Sequence, residues 1–282
     1  MKCCRHRKRW WMTSLLLGCA LAMASPVSAE EVASAEEAAS GEEEEQTLGA
    51  KEIIEKSVER NALGFEAGRA QVSLTVFDRR GEKRERKLDV RSRRDDDRSQ
   101  TIMRLTDPPE VRGQAFLFVE NPDADDDMWM YVPAFEVTRR VEGEQRRSSF
   151  LGTHFTFADL ESRDLREANH RRLPDEEIGD YEVYVVEATP TEPERSDYEK
   201  VVAYVRKSDF IPIRIRFYDR EGEHDKTLFT ERLNTTGDDG ETYVERATLR
   251  SETGGYTTIE VTNLDVDVEL PDSLFDREEF GR

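Results

Sequence analysis

Side chains that could do chemistry are few in this 282-residue sequence, and none stands at a recognisable catalytic spacing. Ser148, Ser149, His154 and Asp159 lie close together in the chain and could suggest a hydrolase. The GxSxG turn that presents the nucleophile of many hydrolases is missing, and closeness in sequence does not establish triad geometry. We therefore expect no enzymatic activity and no catalytic residue, with a secreted hydrolase as an alternative to be tested.

Metal and cofactor chemistry is not expected either. Beyond the first residues the histidines are His154, His170 and His224, and none stands at HExxH or another metal-site spacing. The sequence has no glycine-rich loop that would cradle a phosphate. All three cysteines (Cys3, Cys4 and Cys19) precede residue 30, so their removal with a leader would exclude disulfides and thiolate ligands.

Residues 1–29 have the pattern of a secretory signal peptide. A basic start is followed by an apolar run over residues 10–24, which is too short to span a bilayer. Val27-Ser28-Ala29 then supplies the small-x-small pattern of a signal-peptidase site. We expect cleavage there and a periplasmic protein. The alternative is a lipid anchor on Cys19, because residues 16–19 resemble a lipobox.

The remaining chain is strongly acidic. The whole sequence has 42 Lys and Arg against 62 Asp and Glu, a net charge of −20, and loss of the five basic residues of the leader makes it −25. Such a surface repels nucleic-acid phosphates, so we expect no nucleic-acid partner. Residues 30–46 are small and acidic, which predicts a disordered tether before a single domain over residues 47–282.

The domain begins with an amphipathic helix and continues as strands. Residues 48–63 carry apolar side chains at spacings of three and four, with Thr47 and Gly64 as candidate caps. Later segments alternate apolar and polar residues, as at Ile213, Ile215 and Phe217, with turn signals between them. About a dozen short strands without intervening helices predict an antiparallel meander.

So many one-sided strands form a sheet with one apolar face, and that face has to be covered. One helix is too small to cover a dozen strands. We therefore expect a strongly curved sheet that wraps its own apolar face, with the helix as a plug or lid, and a mainly β (α+β) fold.

The aromatic residues concentrate in residues 128–160, and these side chains either fill a core or line a cavity for an apolar ligand. The candidates for the cavity are Trp129, Tyr131, Phe135, Phe150, Phe155 and Phe157. Arg139 and Arg140 are adjacent on a predicted strand, so only one of them can face inward. A buried arginine needs an acidic partner, which Asp159 or Asp164 could supply.

The same stretch resembles the outer membrane lipoprotein-sorting proteins, a LolA-like family. The resemblance rests on GQAFLF at 113–118, WMYVPA at 129–134, Arg139-Arg140, SFLGT at 149–153 and FTFADL at 155–160. It continues through YEKV at 198–201, the segment 211–222 and LPDSLF at 270–275, and so covers most of residues 47–280. His154 departs from the pattern, in which we expect an acidic residue at this position.

The resemblance implies a half-open antiparallel β-barrel of about eleven strands with a helical lid, like LolA and LolB. It implies a monomeric periplasmic carrier that shields the acyl chains of lipoproteins or other lipids during transport to the outer membrane. An inner-membrane transporter is a further candidate partner. The alternative function is an adaptor module of an envelope transport system that binds no lipid.

Overall fold

A computed structural model describes residues 48–60, 67–95, 98–121, 126–161, 163–236 and 240–281, without the side chains of 95, 163 and 164. The expected signal peptide, the tether and Cys19 lie outside these residues, as do the candidate helix caps Thr47 and Gly64. Within the described ranges, no helix has the length and apolar character needed to cross a membrane.

Thirteen strands form one open sheet in which every pairing is antiparallel. The strands are β1 (Gly68–Phe77), β2 (Lys83–Asp95), β3 (Arg98–Asp107), β4 (Ala115–Val119), β5 (Asp127–Val132), β6 (Val137–Arg140), β7 (Ala168–Ile178), β8 (Tyr181–Pro190), β9 (Tyr198–Arg206), β10 (Pro212–Asp219), β11 (His224–Thr235), β12 (Thr242–Ser251) and β13 (Tyr256–Asp265). Their spatial order is β6-β5-β4-β3-β2-β1-β13-β12-β11-β10-β9-β8-β7. The predicted mainly β, antiparallel and unclosed architecture is confirmed, with thirteen described strands where about eleven were expected.

The two-residue alternation of the sequence fixes which side chains face inward. In β1 the residues Val72, Leu74 and Val76 are buried, and the residues between them are more exposed. Val72 pairs across the strands with Leu88 of β2, and Ala70 pairs with Val90, so β2 continues the same apolar face. Successive side chains of a strand point to opposite faces, so this pattern gives the sheet one predominantly apolar side, here called the inner face.

In the described part of the chain, a ten-residue helix packs on the inner face. Helix α1 (Ala50–Glu59) buries Ile53 and Ile54, which are 0% and 1% exposed, against Val186, Ala203 and Val205 of β8 and β9. Each isoleucine contributes about 1.5–3 kcal/mol when fully buried. The predicted amphipathic helix therefore exists and covers one end of the sheet, as a lid does.

The segment that links β6 to β7 crosses the inner face. These two strands follow one another in sequence but stand at opposite edges of the sheet. Residues 141–161, here called the cover segment, consist of short 3-10 turns and an isolated antiparallel bridge between Ser149 and Thr156. They bury Val141, Phe150, Phe155 and Phe157 against the sheet and lead to α2 (Arg163–Arg166). The apolar inner face is thus covered by the cover segment and by α1.

The outer face of β3, β4 and β5 is also apolar, because the C-terminal segment packs on it. Phe275 and Phe280, which are 5% and 1% exposed, contact a cluster formed by Ile102, Ala115, Leu117 and Val119. Arg104 donates hydrogen bonds to the backbone carbonyls of Phe280 and Gly281 and holds the segment in place. β4 is consequently buried on both faces.

Candidate ligand cavity

A cavity of about 250 Å³ lies between the inner face and its two covers. Ser57 and Val58 of α1 border it from above, together with Leu165 of α2 and residues of the cover segment. The strands contribute mainly aliphatic and aromatic side chains, namely Val72, Leu74, Leu88, Val90, Met103, Phe118, Val201, Ala203, Ile215, Phe217, Leu228, Ala247 and Ile259. A concave, mostly apolar site of this kind is the usual form of a small-molecule pocket.

Several polar side chains in the lining have hydrogen-bond partners within the protein. Ser92 and Thr101 share a hydrogen bond of 2.8 Å between their hydroxyl oxygens. Thr153 donates its hydroxyl to the backbone carbonyl of Phe150 at 2.6 Å. Because these groups already have partners, they do not demand a polar ligand, and the space between them suits an apolar chain.

A buried ion pair fixes the cover segment to the sheet beside the cavity. The Lys226 ammonium on β11 donates to Asp159 Oδ2 at 2.6 Å, and the two side chains are 5% and 1% exposed. Asp159 also accepts the Thr156 backbone N–H at 2.6 Å and the Tyr198 hydroxyl. Lys226 stands near the rings of Tyr198 and Phe217, with its nitrogen 5.3 and 5.4 Å from their centres. A carboxylate this well bonded positions the chain and is not a free base.

The hydroxyls and the imidazole of the cover segment are engaged in local contacts. Ser148 and Ser149 donate to the carbonyls of Gln145 and Thr153 at 2.7 and 2.6 Å. His154 Nδ1 lies 2.8 Å from Thr257 Oγ1, and burial, followed by Lys226 and Arg84, lowers the pKa of its imidazole. Neither serine is hydrogen-bonded to His154, so these residues do not form a Ser–His pair.

Metal ligands are not grouped in the described part of the chain, since no cluster of three or more His, Cys, Asp or Glu side chains could hold an ion there. His170 and His224 instead contact the Leu165 carbonyl and the Thr227 hydroxyl, at 2.6 and 2.7 Å.

A family model described as an uncharacterized protein matches residues 97–282, about two thirds of the chain. The chain belongs to this family. It is LolA-like, as the motifs of residues 113–160 predicted. No curated protein matches the sequence.

Three solved structures share the LolA-like fold. A domain from Vibrio parahaemolyticus, named as an outer membrane lipoprotein-sorting protein, is 25% identical with a TM-score of 0.74, over 83% of this chain and 98% of that chain. A DUF1329 family protein from Desulfovibrio piger is 23% identical with a TM-score of 0.72, over 80% and 95%. A LolA superfamily protein from Nitrosomonas europaea is 22% identical with a TM-score of 0.63, over 82% and 98%.

Two of the six aromatic candidates line the cavity of this LolA-like chain. Phe150 and Phe155, which are 3% and 7% exposed, belong to its wall. Phe150 stacks edge-on against Phe116 and Phe157, with ring centres 5.0 and 5.3 Å apart. Phe157, which is 6% exposed, packs against Phe150 but does not itself line the cavity.

The other three aromatic candidates do not line the cavity, which corrects their expected placement. Trp129 and Tyr131 face the outer cluster under the C-terminal segment. Met128, which precedes Trp129 in the strand, faces inward. Phe135 is 72% exposed in the turn between β5 and β6. Alternation places Trp129 and Tyr131 on one common face, but it does not say which face, and here both faces are apolar.

The arginine candidates point to opposite faces, as alternation requires, but neither is buried. Arg139 pairs across the sheet with Met130, and Arg140 pairs with Trp129. Arg140 Nη2 lies 2.5 Å from Asp127 Oδ1, at an exposed edge. Neither arginine is thus the buried cation for which Asp159 was a candidate partner, and the cation that pairs with Asp159 is Lys226. The side chain of Asp164 lies outside the described part.

Lys226, Tyr198 and Leu74 were not among the site residues expected from the sequence. A lysine in a strand normally indicates a solvent-facing position, and the only sequence signal here was its two-residue spacing from Leu228. Since Leu228 lines the cavity, Lys226 shares its face. That face cannot be recognised until Asp159, 67 residues away in sequence, is placed opposite it.

Proposed function

We propose that the protein is a periplasmic carrier that shields the acyl chains of lipoproteins or other lipids in the inner-face cavity. In this proposal it works as a monomer, without a cofactor and without chemical turnover. The observation that carries the proposal is the apolar cavity enclosed between the sheet, α1 and the cover segment. The similarity to the Vibrio parahaemolyticus domain, which is named for lipoprotein sorting, supports it.

The energetics favour a cover that opens. The cavity volume of about 250 Å³ is below the roughly 300–1,000 Å³ typical of small-molecule pockets, so a long acyl chain requires it to widen. Moving α1 away exposes Ile53 and Ile54, which costs about 3–6 kcal/mol for the two side chains. Each methylene that enters contributes about 0.8 kcal/mol, so roughly four to eight methylenes offset that cost.

A longer chain therefore binds with only the free energy of its additional methylenes, and this moderate net affinity suits a carrier that has to release its cargo. A deeper permanent cavity would hold lipid too tightly for delivery. The cavity also selects apolar groups, because its polar side chains Ser92, Thr101 and Thr153 already have hydrogen-bond partners.

The test is a titration of delipidated protein with a fluorescent fatty acid and with an acylated peptide. Ile259→Trp fills the cavity from β13, and Thr262→Trp adds the same bulk at an exposed position of the same strand. We expect wild type and Thr262→Trp to bind and Ile259→Trp to lose at least about tenfold in affinity, since it displaces several methylenes. Absence of binding to wild type would instead favour the adaptor function.

A further inference from the structure

Arg84 and Arg86 on β2 are neighbouring cations, and Asp78 acts on Arg84 through its charge without forming an ion pair. Neither guanidinium makes an ion pair or a side-chain hydrogen bond with any described residue. The Nε of Arg86 is buried and has no acceptor. Burial, and then the charge of Arg84, lower the pKa of the Arg86 guanidinium. Buried donors are nearly always bonded in folded proteins, so this Nε–H is available to donate to a ligand oxygen.

The two guanidinium groups converge on one point of the cover segment. Gly152 has a φ of +68°, and a Cβ added to it would lie 3.9 Å from both Arg84 Nη1 and Arg86 Nη2. A distance of 3.9 Å is ordinary van der Waals contact, so both guanidinium groups lie against the cover segment at Gly152. Two guanidinium groups that converge on one point can together bind the oxygens of a carboxylate or phosphate.

This pair lies at the end of the cavity wall. Arg86 stands directly across from Leu74 of β1, and Leu88 follows it by two residues on the same face. Leu74 and Leu88 both line the cavity. At about 3.3 Å per residue along a strand, the arginines begin roughly 7 Å beyond Leu88. An apolar chain lying along these leucines would bring its head group to Arg86 and Arg84.

A second arginine-rich region near the cavity differs from this pair, because its arginines form ion pairs with carboxylates. A cleft of about 330 Å³ shares Ala158 and Glu161 with the cavity wall and contains Arg140, Arg146 and Arg147. Each of these arginines has a carboxylate partner, and the shortest such distances are 2.5 Å to Asp127, 3.2 Å to Glu161 and 2.8 Å to Asp197. Arg84 and Arg86, in contrast, make no such ion pair with a described residue.

We propose that Arg84 and Arg86 bind the anionic head group of an amphiphile whose apolar chain occupies the inner-face cavity. The ligand class is an acidic lipid with a carboxylate or phosphate head. This inference rests on the proposed carrier function and specifies its ligand. Among cargoes of equal chain length, the protein then selects those with a negative head, although its own net charge is strongly negative.

The experiment measures displacement of a neutral apolar dye from the cavity by dodecanoic acid and by dodecanol, at a pH where the acid is ionised. A charge-assisted hydrogen bond contributes about 1.5–3 kcal/mol, so we expect the acid to displace the dye at a concentration at least about tenfold lower. Dodecyl phosphate should show the same preference. Arg84→Gln with Arg86→Gln should remove the preference and leave dye binding unchanged.

The control is Arg79→Gln with Arg80→Gln, which removes two charges from the turn that joins β1 to β2 and should keep the preference. Equal displacement by acid and alcohol in wild type overturns the inference without any variant, as does a preference that survives loss of both arginines. If inorganic phosphate stabilises wild type but acid and alcohol compete equally, the pair binds free phosphate and the head-group proposal is wrong. Failure of the dye to bind at all contradicts the carrier function itself.

Discussion

Lys226 of β11 and Asp159 of the cover segment form an ion pair with an Nζ–Oδ2 distance of 2.6 Å, and both side chains are almost fully buried. It joins the irregular segment to the centre of the sheet next to the cavity. Removing one member of such a pair leaves an uncompensated buried charge, which costs more than the pair contributes.

We therefore expect Lys226→Met to lower the free energy of unfolding by about 3–5 kcal/mol, measured by urea denaturation. The double variant Lys226→Met with Asp159→Leu should recover a large part of that loss, because no charge is left buried. The recovery stays incomplete, since the Tyr198 hydroxyl and the Thr156 N–H lose their acceptor. Additive losses from the two substitutions would refute this account.

Phe150 and Phe135 give a matched comparison between a cavity wall and an exposed turn. Phe150→Ala removes a ring that contacts Phe116 and Phe157, and should cost about 3–5 kcal/mol of stability. Phe135→Ala should change stability by no more than about 0.5 kcal/mol, because this ring is 72% exposed. Thermal or urea unfolding checks both, and a large loss in Phe135→Ala would show that the β5–β6 turn packs differently.

The C-terminal segment is predicted to be essential for the stability of the sheet. Phe280 is 1% exposed and packs on the outer face of β4, so Phe280→Ala should cost about 3–5 kcal/mol. Glu279→Ala alters the exposed neighbouring position and should have little effect. The comparison uses the urea midpoint of each variant, and equal midpoints would mean that the segment is not docked in solution.

His154 should make stability depend on pH. Because its folded pKa is lowered below the ordinary value of 6.5, the unfolded chain binds the proton first as the pH falls. Stability therefore falls as the pH drops from that value towards the lower folded pKa, and it rises again on return to neutral pH. The groups that affect the imidazole are Lys226, Arg84 and Asp78.

His154→Gln should reduce this pH dependence, measured as the difference between variant and wild type in urea midpoints at about pH 7 and below. The difference removes the contribution of the many other carboxylates that titrate in both proteins. If the two proteins lose stability in parallel over this range, protonation of His154 is not responsible.

The sheet was predictable from alternation, except for one of its edge strands. Strand β7 escaped detection because, at the edge of the sheet, it is largely exposed and contains Pro174, which a central strand would not tolerate. The amphipathic pattern of α1 did predict a lid, because its buried Ile53 and Ile54 fall on one helical face. Local periodicity carries such information even when pairing partners are distant.

The site was less predictable, for reasons that depend on tertiary packing. Aromatic density drew attention to Trp129 and Tyr131, yet the inward side of β5 is formed by Met128 and Met130. The apolar outer face is buried by residues 270–281, which are distant from β5 in sequence. In the same way, nothing local to Arg86 shows that its guanidinium lacks an acceptor.

The most direct test of the cavity is photolabelling with a fatty acid that carries a photoreactive group near the end of its chain. After irradiation, the labelled residues are located by peptide mass spectrometry, with Ile259→Trp as the blocked control. The carrier account predicts labels on lining residues such as Leu74, Phe150 and Ile259, and their loss when the cavity is filled. Labels confined to Trp129, Tyr131 or Phe135, or labelling unchanged in Ile259→Trp, would contradict it.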